Sequence, residues 1–212
     1  MNQKRCKIAV LASGTGTNFR AIAEACRGER FPAEVACLIS DNPEAKALSI
    51  AEEFGVPYHL IVGGEKRGHL PKESEEEIVS ICRGAGVDLV ALAGFMRILK
   101  GPLLDAYDGR ILNIHPSLLP SFKGLHAQEQ AFDYGVKVSG CTVHFVDRSV
   151  DGGPIIIQAA VPVEEGDDAD TLAARILKEE HRIYAKAIEL FAMGRLKIEG
   201  RKVEVMDTPP SG

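Results

Sequence analysis

Val87-Asp88-Leu89-Val90-Ala91-Leu92-Ala93 is the most continuous apolar stretch of the chain, and its reading decides the fold. So short a run, apolar on both faces, suits a central strand of a parallel sheet. Towards the N-terminus, Ser74–Cys82 reads as a helix, with Glu75, Glu76 and Glu77 early, where the helix dipole favours acids. Before it come a strand around Tyr58–Val62 and a helix with Asn42 as N-cap, Pro43 at its first position and Gly55 at its end. Earlier still lie a strand at Val35–Ser40, a helix at Thr17–Arg27 and a buried strand at Ile8–Ala12. Towards the C-terminus follow a strand at Arg110–His115 and a helix at Ala127–Tyr134. This rhythm predicts an α/β fold, a doubly wound Rossmann-like domain with right-handed crossovers.

The rhythm then changes. Val138–Val146 and Ile155–Val163 are strands separated by eight residues, too few for a crossover helix, so they pair antiparallel at one end of the mostly parallel sheet. A long C-terminal helix is predicted from about Asp168 to Ala192, then a small hairpin at Lys197–Val205 turning at Glu199-Gly200. A single domain over residues 1–206, with a polar tail at 207–212, is the expected organisation.

Composition agrees with that size. The chain of 212 residues is 45% hydrophobic and 26% charged, as soluble globular proteins are. Its 25 Lys and Arg against 30 Asp and Glu give a net charge of −5, which disfavours nucleic-acid and acidic-membrane partners. No apolar run approaches the roughly 20 residues of a membrane span, and Ile8–Ala12 is too short for a signal-peptide core. A cytoplasmic location is expected. Five scattered cysteines (Cys6, Cys26, Cys37, Cys82, Cys141) fit neither a disulfide framework nor a zinc knuckle and read as small buried hydrophobes.

Three segments carry chemistry. Ser13-Gly14-Thr15-Gly16-Thr17-Asn18 joins the first strand to the first helix, where glycines and free helix N–H groups suit a phosphate. A dinucleotide loop needs glycine at position 19, which is Phe19, although Asp41 can imitate the ribose-binding acid. A plain tight turn is the third reading, and a single phosphate is preferred. Asn113-Ile114-His115-Pro116-Ser117-Leu118-Leu119-Pro120 is the strongest segment. Asn113 and His115, two apart on a strand, face one side at the sheet edge where ligands bind, and Pro116 restricts the backbone of His115. In Asp151-Gly152-Gly153-Pro154, two glycines bring backbone close to a neighbour and present Asp151, which is either a site carboxylate or an ordinary turn residue.

The long helix holds an anomaly. Leu172, Ile176, Leu177, Ile183, Tyr184, Ala187, Leu190 and Phe191 fill one arc at 100° per residue, and Glu180 falls in its middle. A buried carboxylate needs a partner or a pocket, so Glu180 is either in a salt bridge or on a ligand. The remaining histidines, including a structural or pocket-lining His144, lack metal-ligand spacing, so no metal is expected. A pterin or aromatic ligand stays open.

Together the stretches IAVLASGTGTNFRAI (8–22), LAGFMRIL (92–99), NIHPSLLPSFKGLHA (113–127), TVHFVDRSVDGGPII (142–156) and EEH (179–181) resemble the glycinamide ribonucleotide formyltransferase family of purine biosynthesis. NIHPSLLP with DGGP points to folate-dependent formyl transferases, and SGTGTN narrows the resemblance to the ribonucleotide enzymes. The resemblance implies transfer of the formyl group of 10-formyltetrahydrofolate, as co-substrate, to the amine of glycinamide ribonucleotide. It implies catalytic Asn113, His115 and Asp151, and a 5′-phosphate held by Gly16, Thr17 and Asn18, with Glu180 on the ribose or glycinamide end. It further implies a folate site of Met96, Arg97, Ile98 and Leu99, with Asn113, Asp147, Val150 and Asp151. Where the family often has an arginine before the helix at 74–82, this chain has Pro71-Lys72, and Lys72 is a weak substitute.

The expected chemistry is attack of a neutral amine on the formyl carbon, with Asn113 and protonated His115 donating to the oxyanion and Asp151 favouring the charged imidazole. The expected partners are the two small substrates, with the chain a monomer or homodimer. A methionyl-tRNA formyltransferase would need a basic C-terminal domain, and a formyltetrahydrofolate hydrolase an N-terminal regulatory domain before the strand at residue 8. A noncatalytic nucleotide-sensing module is the rival of another class.

Overall fold

The computed structural model describes residues 4–64 and 68–208. The chain divides into two compact units, residues 1–112 and 113–212. The first holds β1 (Cys6–Leu11), α1 (Thr17–Arg27), β2 (Ala33–Ser40), α2 (Lys46–Phe54), β3 (Tyr58–Leu60), β4 (Gly68–His69), α3 (Lys72–Gly84), β5 (Leu89–Leu92), β6 (Arg97–Ile98) and α4 (Pro102–Ala106). Its main strands run parallel in the order β5-β1-β2-β3, with Ile8 of β1 opposite Leu89 on one side and Val35 on the other. Ile8, Val10, Leu11, Leu38, Ile39, Leu89 and Val90 are completely buried. Strands apolar on both faces are thus covered on both faces, as the opening stretch predicts. Asp88 stays out of β5 because its carboxylate accepts the Lys7 N–H (2.9 Å) at the strand entrance.

Two local expectations are corrected. The second helix starts at Lys46, not Pro43, because Asn42 is used elsewhere: its Oδ1 accepts the Glu44 N–H (3.0 Å) and its Nδ2 donates to the Ser13 carbonyl (2.9 Å). The third strand is only three residues long and exposed. Glu75 lies in the first turn of α3, as expected, and is buried, accepting the N–H groups of Lys100 (3.0 Å), Gly101 (3.1 Å) and Leu103 (3.1 Å). It thereby satisfies the open N-terminus of α4, a short helix whose cap comes from another element and leaves no local signal.

The division between the units falls inside β7 (Ile111–His115). After it come α5 (Ala127–Tyr134), β8 (Val138–Phe145), β9 (Ile155–Pro162), α6 (Ala169–Ala192), β10 (Leu196–Glu199) and β11 (Lys202–Val205). The strand order is β10-β11-β9-β8-β7. β8 and β9 pair antiparallel, as the short connection requires, and β10 with β11 forms the expected hairpin. α6 starts at a reciprocal cap, in which Asp168 Oδ1 accepts the Thr171 N–H (2.8 Å) while Thr171 Oγ1 accepts the Asp168 N–H (2.8 Å). It buries Leu172, Ile176, Glu180, Ile183, Tyr184, Ala187 and Ile188. Of the expected polar tail, residues 209–212 lie outside the described residues. No helix among the described residues is long and apolar enough to cross a membrane.

Four of the five cysteines are buried, and Cys6 is half-buried. Burial pushes the Cys26, Cys82 and Cys141 thiols up to about 12, and Cys6 and Cys37 up to about 11. Thiols so held are poor nucleophiles. At pH 8 iodoacetamide therefore leaves the native protein unlabelled over a time in which the guanidinium-unfolded chain takes five labels. Fast native labelling, read by intact-mass spectrometry, would contradict this packing.

Candidate active site

β7 alternates, so Asn113 and His115 lie on one face while Leu112 and Ile114 are buried on the other. The strand ends at Pro116, which holds His115 extended. The His115 ring is only 5% exposed. Its Nε2 donates to the Phe122 carbonyl (2.8 Å), and its Nδ1 lies 3.5 Å from Asp151 Oδ2. Both ring nitrogens thus face oxygens that only accept.

Asp151 sits in the connection between β8 and β9 with φ of 46°, a left-handed backbone that Asp tolerates better than most residues. Its Oδ2 also accepts the Gly124 N–H (2.8 Å), tying the carboxylate to the segment after β7. Asp151 is a turn residue whose carboxylate also approaches a second side chain. It meets His115, as spacing alone does not reveal.

A fourth side chain completes the cluster. His144 Nε2 lies 3.2 Å from Asn113 Nδ2 and 3.9 Å from Asp151 Oδ1, while its Nδ1 donates to the Phe145 carbonyl (2.7 Å). With Nδ1 carrying the proton, Nε2 is the acceptor for an N–H of Asn113, which fixes the carboxamide. Burial drives the His144 pKa below its ordinary 6.5, outweighing the pull of Asp151, so the ring is neutral. The sequence left His144 between structural and pocket-lining roles. Its signal was the polar alternation Thr142, His144 on β8, both buried, with Thr142 Oγ1 donating to the Ser117 carbonyl (2.7 Å) and accepting the Leu119 N–H (3.1 Å).

A depressed histidine pKa stabilises the fold above pH 6.5, and that contribution is lost as pH falls through the lower folded-state value. His144→Gln, which cannot take up a proton, therefore shows a shallower fall of Tm than wild type between about pH 6.5 and 5. Parallel Tm profiles would show that His144 is not a buried neutral ring.

The glycines of the loop have distinct reasons. A Cβ on Gly153 would sit inside the van der Waals radius of the Phe145 carbonyl, the same oxygen that receives His144 Nδ1. A Cβ on Gly152 would meet only the Ser149 side chain and, at 3.4 Å, Lys123 Nζ. Asp147 and Val150 lie in this loop, where Asp147 Oδ1 accepts the Ser149 N–H (2.8 Å) and Val150 is exposed. Glu180 is buried on α6 near Cys141 of β8, whose thiol is raised first by burial and then by that carboxylate.

The first unit holds the remaining candidates. Gly16 has φ of 73° and starts α1 without a side-chain cap, followed by Thr17 and Asn18 in the first turn. A Cβ there would lie 2.8 Å from Ala47 Cα, so only glycine fits. Phe19 is completely buried, and Asp41 is committed to Arg97 (2.6 Å) and Ser13 (2.5 Å). Both facts disfavour the dinucleotide reading. Met96 is exposed, Arg97 and Ile98 form β6 beside β4, and Leu99 is buried. Lys72 begins α3, well exposed and paired with Glu76 (3.4 Å). A cavity of about 640 Å³ between α3 and α4 is lined by Glu76, Arg83 and Asp105 and includes none of the predicted site residues. Among the described residues no three His, Cys, Asp or Glu are grouped to hold a metal.

Comparison with known proteins identifies the family. The family profile described as formyl transferase matches residues 6–188. The phosphoribosylglycinamide formyltransferase of Bacillus subtilis is 45% identical over 184 residues, covering 86% of this chain and 93% of that protein. The human trifunctional purine biosynthetic protein adenosine-3 is 43% identical over 196 residues, 92% of this chain, although the chain spans only 19% of that protein. The crystal structure of glycinamide ribonucleotide transformylase 1 from Symbiobacterium toebii superposes with a TM-score of 0.91 at 52% identity, covering 96% of this chain and 95% of that one. The α/β Rossmann-like architecture and the match along nearly the whole chain agree, and the chain belongs to the formyl transferase family.

Proposed function

We propose that this chain is a phosphoribosylglycinamide formyltransferase, moving the formyl group of 10-formyltetrahydrofolate to the amine of glycinamide ribonucleotide in purine synthesis. The observation that carries the proposal is the convergence of Asn113, His115 and Asp151, with both nitrogens of His115 facing oxygen acceptors. The neutral amine attacks the formyl carbon, and the carbonyl π electrons move to oxygen. His115 Nε2–H, exchanging the Phe122 carbonyl for the formyl oxygen, and the second N–H of Asn113 donate to that oxyanion. The carbon–N10 bond then breaks, and the net proton transfer runs from the attacking nitrogen to N10, relayed by His115. No covalent enzyme intermediate is required. One oxyanion donor is worth about 3–4 kcal/mol of barrier, and alignment of two bound substrates can contribute about 7–11 kcal/mol.

In this reading Gly16, Thr17 and Asn18 hold the 5′-phosphate at the start of α1, and Glu180 takes the ribose or glycinamide end. Met96, Arg97, Ile98 and Leu99, with Asn113, Asp147, Val150 and Asp151, take the folate. Residues 1–206 work as one catalytic domain, a monomer or homodimer in the cytoplasm, without metal, nucleic acid or membrane. The uninterrupted family match over 6–188 supports this organisation.

Mass spectrometry of the ribonucleotide after incubation with 10-formyltetrahydrofolate tests the proposal. One added formyl group is expected; unchanged ribonucleotide with enzyme in excess would overturn it. Asn18→Ala should raise the ribonucleotide KM about tenfold, equivalent to one charge-assisted hydrogen bond, with the folate KM unchanged. Glu180→Gln should likewise act on ribonucleotide KM. A change in Tm alone would make Glu180 a structural partner.

A further inference from the structure

Within the first unit, one carboxylate joins two loops that the proposed function assigns to different substrates. Ser13 follows β1 and opens the loop that leads to Gly16, Thr17 and Asn18. Its hydroxyl donates to Asp41 Oδ1 (2.5 Å) and accepts the Met96 N–H (3.1 Å), and its own N–H donates to the Gly94 carbonyl (3.1 Å). The other oxygen of Asp41 receives Arg97 Nε at 2.6 Å. The Asp41 side chain is 4% exposed and that of Arg97 16%, so this pair is shielded from solvent. The ion pair also fills the space beside Gly63, where a Cβ would lie 3.0 Å from Asp41 Oδ2. Arg97 is thus engaged by Asp41 through its side chain, and Met96 by Ser13 through its backbone N–H. Glu75 fixes the far end of that segment through Lys100 and Gly101.

We propose that Ser13 and Asp41 are positioning residues that couple the phosphate loop to the folate-lining segment, so that filling one tightens binding at the other. The physical reason is shared bonding: Ser13 cannot shift without straining the bonds of its hydroxyl to Asp41 and Met96 and of its N–H to Gly94. A ligand that orders one loop removes part of the ordering cost of the other, and by linkage the effect is reciprocal. Neither residue has to touch a substrate. The inference rests on the proposed function, which supplies the two ligands.

Calorimetric titration of the full chain with tetrahydrofolate, the unreactive product form, in the presence and absence of saturating glycinamide ribonucleotide, tests it. The wild type should bind tetrahydrofolate about tenfold more tightly with the ribonucleotide present, within the usual range of such couplings. Ser13→Ala, which removes the hydroxyl's bonds to Asp41 and Met96 but keeps the N–H bond to Gly94 and the Asp41–Arg97 pair, should bring the ratio to between about one and two while still binding each ligand alone. Asp41→Asn should do the same, and if it does not fold, Ser13→Ala decides alone. A wild-type ratio of one, or a variant ratio equal to the wild type's, would overturn the coupling while leaving the function intact. A wild type that binds neither ligand would instead overturn the proposed function, and the coupling with it.

Discussion

His115→Ala lowers kcat by about 10²–10⁴-fold, the contribution of a well-placed general acid, while both KM values stay within a few fold of wild type. The ring is held from Phe122 and Asp151, and replacing it leaves β7 and its apolar face in place. Asp151→Asn keeps an acceptor for Gly124 but removes the charge 3.5 Å from Nδ1, so kcat again falls by orders of magnitude. Because the two act as one unit, the double variant should lose little more than the worse single one. Steady-state kinetics with a matched Tm for each variant makes the check. Near wild-type turnover in both would remove the assigned chemistry.

Gly153→Ala has the second large effect, and it falls on folding and catalysis together. The added methyl collides with the Phe145 carbonyl, a backbone atom of β8 that cannot step aside as a side chain can. Overpacking against backbone costs about 3 kcal/mol, or roughly 6–12 °C in Tm for a chain of this size. The oxygen displaced is the one that receives His144 Nδ1, so the carboxamide of Asn113 loses its alignment and kcat falls in the protein that remains folded. Gly152→Ala is the control. Its methyl meets the Ser149 side chain, which can rotate, so the loss of Tm should be much smaller. Equal losses in the two variants would show that the close approach of Gly153 is unimportant.

Much of this was legible in the amino-acid sequence for identifiable reasons. Period-two spacing puts Asn113 and His115 on one face, and Pro116 marks the strand end, so that half of the site follows from local rules. The eight-residue gap before Ile155 forces the antiparallel pair. Asp151 could be named but not placed, because its meeting with His115 depends on a left-handed turn and on Gly124, twenty-seven residues away. His144 was ambiguous because a buried histidine on a strand reads alike whether it fills space or orients Asn113. Asn42 misled because its Oδ1 closes a local turn on Glu44 while its Nδ2 reaches the Ser13 carbonyl, and the helix begins only at Lys46.

The most direct test follows the formyl donor itself. Purified protein is mixed with 10-formyltetrahydrofolate, and its disappearance is recorded spectroscopically with and without glycinamide ribonucleotide. Direct transfer predicts loss of the donor only when the amine is present, one equivalent for each ribonucleotide formylated. Equal loss in the absence of the amine would mean that water is the acceptor, and would contradict the account.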